Sequence, residues 1–209
     1  MGASLPDLAP EAFRARLAAN SPEALTGVTQ DALHAHYQEL RRWNPTLSLI
    51  GPGTADEVVE RHYGESLAAL PLLPLAAAVL VDVGSGAGFP GFVLAAARPN
   101  LAVTLVEAQE RKWAFLEAAC RRAALPCRCL NARVAAPLPT DFPAVIDLVT
   151  ARAIAPEALA PLLERLAPTG RVLLWTTRNP ELGGLAAGRT LALPGSERRQ
   201  IVELRRSAA

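Results

Sequence analysis

One glycine-rich turn between two apolar stretches constrains the fold of this chain more than any other segment. Residues Val81-Asp-Val-Gly-Ser-Gly-Ala-Gly-Phe-Pro-Gly91 run from a short apolar strand into a turn, and Pro90 stands where a helix would begin. A second apolar stretch, Val103-Thr-Leu-Val-Glu107, ends in a carboxylate. Strand, glycine turn, helix and strand in this order predict a nucleotide-binding βαβ unit.

The glycines alone leave the ligand of this unit open. Gly84, Gly86 and Gly88 allow a tight turn and let a ligand touch bare backbone. Residues 86–91 also read G-x-G-x-x-G, and Glu107 lies at about the spacing of the ribose-binding acid of a dinucleotide enzyme. A nicotinamide-dependent oxidoreductase therefore remains an alternative at this point.

Asp82 favours a cationic ligand over a dinucleotide. A carboxylate two residues before the glycine turn would repel a pyrophosphate bound there. S-adenosylmethionine carries a sulfonium and an ammonium group and has no phosphate, so we expect Asp82 near its methionine portion and Glu107 on its ribose hydroxyls. The structural alternatives are that Asp82 bonds backbone N–H groups of the turn, and that Glu107 is a solvated strand end.

Length and composition indicate one α/β domain of ordinary size with a helical appendage. The chain has 209 residues, of which 51% are hydrophobic and 20% charged. No apolar run approaches the roughly 18 residues that cross a bilayer, and residues 1–20 lack a signal-peptide core. We therefore expect a cytoplasmic protein without membrane association. The net charge of +1 means that binding to a nucleic acid would depend on local basic patches.

The cysteines and histidines do not predict a metal site. Cys127 and Cys129 would point to opposite faces of one strand, which suits neither a disulfide nor a metal clamp. With Cys120 they are expected to be core thiols. The three histidines are too scattered in sequence to build a metal site on their own.

The chain divides into a helical part and a sheet. Periodicity is helical from Pro10 to about Leu70, and Pro45 and Gly51 are expected to break it and leave Asn44 on a loop. Thr54-Ala-Asp-Glu57 has the pattern of a capping box. We predict an N-terminal helical cap with its linker over residues 1–74 and a Rossmann-like core over residues 75–209.

Strand-like stretches recur after the linker, with helical stretches between most of them. This alternation predicts a mostly parallel α/β sheet that is covered on both faces. The tail around Pro194-Gly195-Ser196 adds two short strands, close enough for an antiparallel hairpin at the sheet edge. The predicted strands before that hairpin are Val79–Val83, Val103–Glu107, Arg128–Leu130, Ile146–Thr150 and Val172–Trp175.

Motifs over most of the chain resemble one bacterial family. They are Trp43-Asn-Pro-Thr-Leu-Ser-Leu-Ile50, Arg61-His-Tyr-Gly-Glu-Ser-Leu67, the glycine turn with its Phe89-Pro90-Gly91 extension, Glu107-Ala-Gln-Glu-Arg-Lys-Trp-Ala-Phe-Leu116, Arg133, Thr150-Ala-Arg-Ala-Ile-Ala155 and Glu197-Arg-Arg199. The family is the small-subunit ribosomal RNA guanine-N7 methyltransferase G family, also called glucose-inhibited division protein B. The most specific parts are the glycine turn with Phe-Pro-Gly and the Ala-Arg-Ala-Ile-Ala strand end.

The resemblance implies a fold, an activity and partners. The fold would be that of a class I S-adenosylmethionine-dependent methyltransferase, a Rossmann-like, mostly parallel sheet with a C-terminal antiparallel hairpin and an N-terminal helical cap. The activity would be methylation of N7 of a guanine in 16S ribosomal RNA, with S-adenosylmethionine as cofactor and the small ribosomal subunit as partner. Independently of the resemblance, a domain of this size with no obvious heptad or exposed apolar stripe is expected to be a monomer.

The resemblance also implies site residues. Guanine N7 has a free lone pair, so a general base is dispensable. An arginine bound to both O6 and N7 would occupy the reacting atom, so Arg152 and Arg133 are expected to hold O6 or phosphates. Asn44 and His62 would close over the site from the cap. The alternative for His62 is a histidine packed on a helix face, and the alternative for Arg152 is a surface salt bridge. The implied cofactor contacts are Asp82, Gly84, Ser85, Gly86, Gly88, Phe89, Glu107, Ala108, Ala132, Arg133 and Arg152.

Three departures from the family pattern concern the substrate side. Trp175-Thr-Thr-Arg-Asn179 stands where the family usually has Leu-Lys-Gly, Ala135 replaces an acidic residue, and Gly64-Glu65 replaces Leu-Asp. A methyltransferase that acts on a small molecule or a protein is therefore kept as an alternative. A binding module that retains only the fold is another.

Overall fold

A seven-stranded sheet forms the centre of the computed structural model, which describes residues 2–206. Its order is β3-β2-β1-β4-β5-β7-β6; β1 to β5 are parallel, and β7 runs antiparallel to both β5 and β6. The predicted parallel sheet with an antiparallel hairpin at its edge is confirmed. The strands are β1 (Ala78–Val83), β2 (Leu101–Glu107), β3 (Arg128–Asn131), β4 (Ile146–Arg152), β5 (Leu166–Thr176), β6 (Leu185–Ala192) and β7 (Gln200–Arg206).

The strand order places a crevice between β1 and β4. The chain proceeds from β1 to β2 and β3 on one side and returns to β4 on the other, so connections diverge above the carboxyl ends of these neighbouring strands. Ligands bind at such a switch point in open α/β sheets. Residues 80–83 of β1 are all buried, as expected for a central strand covered on both faces.

Helices cover the sheet and build the cap. The α-helices are α1 (Pro10–Ala19), α2 (Gly27–Leu47), α3 (Glu65–Leu67), α4 (Gly91–Ala97) and α5 (Glu110–Arg122), and a π-helical turn (Val59–Gly64) leads into α3. Short 3-10 segments are Pro52–Thr54, Leu70–Leu72 and Pro156–Glu164. No helix in residues 2–206 is long and apolar enough to cross a membrane.

The C-terminal end of α2 corrects the prediction of a loop at Asn44. The helix continues through Pro45 to Leu47 and ends at Ser48, which has a left-handed conformation. The Asn44 amide donates to the carbonyls of Ala3 and Ile50 and accepts from the Ile50 N–H, at 2.7, 3.2 and 2.7 Å. These bonds hold the chain on both sides of the proline, which explains why the helix persists there.

The predicted capping box at Thr54 is also wrong. Thr54 ends a 3-10 turn, and its hydroxyl lies 3.0 Å from Nε2 of His62 instead of accepting from a backbone N–H of a following helix. The side chain therefore connects the 3-10 turn to the π-helical turn.

Apolar side chains pack on both faces of the sheet. On one face the cap shares a cluster with α4 and α5, in which Phe13, Tyr37, Tyr63, Phe92 and Phe115 are fully buried. The other face is covered by the segment 156–164 and by residues near 142 and 182. The cap thus buries tyrosine and phenylalanine side chains against the helices that cover the sheet.

Candidate functional site

A cavity of about 450 Å³ opens beside the glycine turn at the carboxyl edge of β1, β2 and β4, and we call it the turn cavity. Seven of the predicted cofactor residues line it: Gly84, Gly86, Glu107, Ala108, Ala132, Arg133 and Arg152. Val83, Val106, Gln109, Lys112, Val134, Ala153, Ile154 and Ala158 complete the wall. The structure therefore brings together residues from four separate segments of the chain.

The glycines of the turn meet two geometric requirements. Gly84, Gly86 and Gly88 have φ angles of +68°, +52° and +86°, a region that residues with a side chain rarely adopt. A Cβ at Gly84 would lie 2.5 Å from Cδ1 of Ile154, and one at Gly88 would lie 2.9 Å from Nε2 of His36. The turn is thus closely packed against Ile154 and His36, and Gly84 and Gly86 line the cavity without a side chain.

Glu107 is buried and bound to the turn. Its Oε2 accepts a hydrogen bond from the Gly86 N–H at 3.0 Å, and its Oε1 accepts from the Gln109 N–H at 2.8 Å. Because each carboxylate oxygen has two lone pairs, both retain capacity for a ligand hydroxyl. This geometry differs from a solvated strand end and holds an acceptor pair in the cavity wall.

Asp82 lies beneath the glycine turn. Its side chain is fully buried beneath the turn, and its Oδ1 accepts a hydrogen bond from the Thr150 hydroxyl at 2.6 Å, which joins β1 to β4. Asp82 is not part of the cavity wall, and its expected place near the methionine portion stays a prediction. Burial raises the pKa of this carboxyl to about 6.

Ser85, Gly88 and Phe89 are further predicted cofactor contacts within the glycine turn. The Ser85 hydroxyl donates to the Asp82 carbonyl at 3.0 Å, and the Phe89 ring packs 5.2 Å from the His62 ring, centroid to centroid. None of the three lines the turn cavity. Their geometry supports the loop from within, and their role as cofactor contacts stays a prediction.

His36 of the cap is a support that the sequence did not reveal. It is fully buried; its Nδ1 lies 2.6 Å from the Tyr63 hydroxyl and its Nε2 lies 2.9 Å from the carbonyl of Ala87 in the glycine turn. Burial lowers its pKa to about 3, so the ring is neutral. A carbonyl only accepts, so Nε2 carries the proton and donates to it. Nothing in the sequence pattern joins His36 to the turn, because 51 residues separate it from Ala87.

Arg152 lies at the end of β4, between two cavities. Its Nη2 is 3.1 Å from Nδ1 of His62, and its Nη1 is buried without a hydrogen-bond partner in residues 2–206. Burial lowers the pKa of the guanidinium from its ordinary value. Arginine only donates, so Nδ1 of His62 is the acceptor and Nε2–H faces Thr54. Burial together with the charges of Arg152 and Arg61 lowers the His62 pKa to about 3. His62 therefore holds Arg152 as a neutral acceptor.

The second cavity, of about 340 Å³, lies between the cap and the ends of β4 and β5, and we call it the Trp175 cavity. The indole N–H of Trp175 donates to the Glu65 carbonyl at 2.8 Å, which fixes the ring against the cap. Arg152, Ala153 and Ile154 line both cavities. The remaining wall is formed by Glu65, Pro156, Leu174, Trp175, Thr176, Thr177, Pro180, Leu193 and Arg199.

The other sequence-predicted residues differ in position. Arg133 is exposed at the turn cavity, and Lys112 also lines it. Arg178, from the segment that stands where the family usually has Leu-Lys-Gly, is exposed and lines neither cavity. Asn44 is contradicted as a site residue, because it is fully buried, lines neither cavity and uses its amide to bind backbone.

The thiols lie away from both cavities. Cys120 is buried and its Sγ lies 3.8 Å from that of Cys129, while Cys127 and Cys129 are partly exposed. Among residues 2–206 no group of three or more histidine, cysteine or acidic side chains is arranged to hold a metal ion.

Residues 29–205 match the model of the family described as rRNA small subunit methyltransferase G. The chain is similar to the ribosomal RNA small subunit methyltransferase G of Paracoccus denitrificans, with 38% identity over 67% of this chain and 72% of the relative. The same-named protein of Rhodospirillum centenum is 42% identical over 70% of this chain and 66% of the relative. The matched segments therefore span about two thirds of these relatives or slightly more.

A solved structure supports the fold. The structure of a SAM-dependent methyltransferase from Aquifex aeolicus aligns with a TM-score of 0.53 and 15% identity, covering 71% of this chain and 91% of that chain. Together with the sheet order, this likeness confirms the class I methyltransferase fold.

Proposed function

Because this chain belongs to the rRNA small subunit methyltransferase G family, we propose that it methylates N7 of a guanine in 16S ribosomal RNA with S-adenosylmethionine as cofactor. Family membership favours this activity over the nicotinamide-dependent oxidoreductase and over a binding module without catalysis. The two cavities that meet at Arg152 are the structural basis of the proposal.

The turn cavity fits S-adenosylmethionine. Its volume falls in the range of small-ligand sites, its turn presents bare backbone, and Glu107 offers carboxylate oxygens for a ribose diol. Val106, Val134 and Ile154 add apolar wall for a base. When bound, the cofactor supplies a methyl group activated by the adjacent sulfonium charge.

The Trp175 cavity is the place for the target guanine. The N7 lone pair needs no proton removal. His62, which lines neither cavity, is neutral and accepts a hydrogen bond from Arg152, so it is not needed as a base. The residues therefore act by orienting the base and excluding water, which supplies a large part of the rate in such reactions.

Arg152 carries the proposal. It lines both cavities, and its buried Nη1 has no acceptor among the residues that the structure describes. A buried donor left without a partner is costly, so a ligand oxygen at this point would gain binding free energy. Guanine O6 or a phosphate oxygen is such an acceptor, and either leaves N7 free to react.

The test compares Arg152→Ala with the exposed control Arg178→Ala. Titration with S-adenosylhomocysteine measures cofactor binding, and transfer of labelled methyl groups to purified small subunits measures turnover. We expect Arg152→Ala to bind within about threefold of the wild type and to lose about 100-fold in turnover, with the control unchanged. Loss of cofactor affinity that matches the loss of turnover would contradict the substrate role.

We further propose that the enzyme acts as a monomer in the cytoplasm, where small subunits are assembled. Light scattering during size-exclusion chromatography measures the mass in solution. A mass of 22.1 kDa is expected for the monomer, and twice that mass would contradict the proposal.

A further inference from the structure

Glu65 joins three arginines from three parts of the fold. Its side chain is 3% exposed and belongs to α3 of the cap. Its Oε1 accepts from Nε of Arg61 at 3.0 Å and from Nε of Arg199 at 2.8 Å, while its Oε2 lies 3.8 Å from Nη2 of Arg152. Arg61 precedes it in the cap, Arg152 ends β4 and Arg199 directly precedes β7.

The charges around Glu65 do not cancel. Arg61 has a second carboxylate, Glu57 at 3.7 Å, but Glu65 is the one acid paired with Arg152 or Arg199 in the described part of the chain. His62 adds no charge because it is neutral. One carboxylate therefore faces two guanidinium groups that both line the Trp175 cavity, which leaves the wall cationic.

The backbone of Glu65 is bound to the same place. Its carbonyl accepts from the Trp175 indole, so side chain and main chain both connect the cap to the carboxyl edge of the sheet. Buried carboxylates need such partners to offset the loss of hydration. The pairing also restricts the rotamers of Arg152 and Arg199, which have many when free.

From these contacts we propose that Glu65 is a positioning residue for methyl transfer. It sets the orientation of Arg152 and Arg199 toward the target nucleotide and does not touch the reacting atoms. This inference rests on the proposed function, because it assigns the Trp175 cavity to the nucleotide. The closest contact of the Glu65 side chain is the one with Arg199, with 2.8 Å between Oε1 and Nε.

The two effects of Glu65→Gln have opposite signs. Removing the carboxylate raises the positive charge of the cavity, which strengthens general attraction to RNA. It also removes the ion pair that orients Arg199 and the charge that faces Arg152, which keeps its hydrogen bond to His62. Small displacements in a site lower turnover strongly. We expect kcat on small subunits to fall about tenfold or more, with KM unchanged or lower. A merely structural role would leave kcat of the folded protein unchanged.

Glu203→Gln is the matched control. Glu203 is equally buried and pairs with Arg171 at 2.9 Å and Arg189 at 3.5 Å, but lines neither cavity. It is expected to lose stability without loss of kcat. Glu65→Asp keeps the charge and shortens the side chain by one methylene, so an intermediate kcat is expected, and this variant serves if the glutamine variant does not fold.

The outcomes separate the two proposals. Wild-type protein that binds S-adenosylhomocysteine but methylates no small-subunit RNA overturns the proposed function and the role of Glu65 with it. Only the role of Glu65 is overturned if the wild-type protein is active and folded Glu65→Gln has an unchanged kcat. If Glu65→Asp is the variant that folds, an unchanged kcat in that variant has the same meaning. A kcat loss of equal size in Glu203→Gln also overturns the role of Glu65, since the loss would then not depend on the Trp175 cavity.

Discussion

At the scale of single residues, the carboxylates of the glycine motif have separate tasks. Glu107 lines the turn cavity and binds the turn from the side, whereas Asp82 lies beneath it and bonds to Thr150 of β4. Both were predicted as cofactor contacts from their spacing. The spacing indicates which strand ends they occupy, but the direction of each side chain depends on how β1, β2 and β4 pack.

Asp82 predicts a pH dependence of stability. Its pKa is raised from 3.8 to about 6 by burial, so the folded state binds this proton more tightly than the unfolded state does. The contribution of this carboxyl to stability is therefore fully present below pH 4 and is lost as pH rises toward 6. Between those limits, denaturant unfolding should show the wild type losing about 3 kcal/mol relative to Asp82→Asn. Parallel pH profiles for the two proteins would contradict the raised pKa.

Gly86 predicts a loss of cofactor binding on substitution. Its φ of +52° is strained for a β-branched residue, and a Cβ there would lie 4.0 Å from Oε2 of Glu107, at the cavity wall. Calorimetry should show Gly86→Val binding S-adenosylhomocysteine about tenfold or more weakly. Gly183→Val is the control, because a Cβ at Gly183 meets nothing within 4 Å. Equal affinity in both variants would mean that the ligand does not contact the turn.

At the scale of elements, the end of α2 shows how long-range contacts override local signals. Pro45 with Gly51 after it in the sequence ordinarily predicts a helix break. The helix α2 nevertheless extends through Pro45, because the Asn44 amide binds Ala3 and Ile50. Ala3 lies 41 residues away in sequence, so no local pattern predicts this bond.

Asn44→Ala should therefore destabilise the protein without affecting its chemistry. Loss of the amide leaves the buried Ile50 N–H without its acceptor, at a cost of roughly 1 to 3 kcal/mol. Denaturant unfolding measures that loss, and titration with S-adenosylhomocysteine together with turnover of the folded protein should match the wild type. A fall in kcat without a fall in stability would restore Asn44 as a site residue.

The strand ends illustrate what element-level patterns do predict. The five parallel strands appear within a few residues of their expected bounds, except that β5 begins at Leu166 instead of Val172. β1 and β2 are marked by short apolar runs, because a central strand is buried on both faces. The ends of β4 and β5 and the residues after them form the Trp175 cavity together with the cap. No pattern in these segments predicts that they come together.

At the scale of the whole molecule, the cap and the sheet share one apolar cluster. Trp43 of the cap packs 6.2 Å from Phe115 of α5, measured between ring centroids, and Trp175 of β5 donates to the cap residue Glu65. The boundary predicted near residue 74 stays a prediction, but the two parts are in extensive contact.

This shared core predicts one cooperative unfolding transition. Tryptophan fluorescence reports on both parts through Trp43 and Trp175, and far-UV circular dichroism reports on the helices and the sheet together. We expect the two denaturant curves to coincide, as they do for a two-state domain. A first transition seen by only one method would show that the cap unfolds separately from the sheet.

The sequence by itself determined the alternation of strands and helices, the glycine turn, the acid that ends β2, and the family, since these depend on residues that are close in the chain. Only the tertiary structure decided that Asp82 faces β4, that His36 holds the turn, and that Glu65 gathers Arg61, Arg152 and Arg199. These contacts connect segments that are distant in sequence. Their geometry is set by the packing of the cap on the sheet, and packing depends on the shapes of many side chains at once.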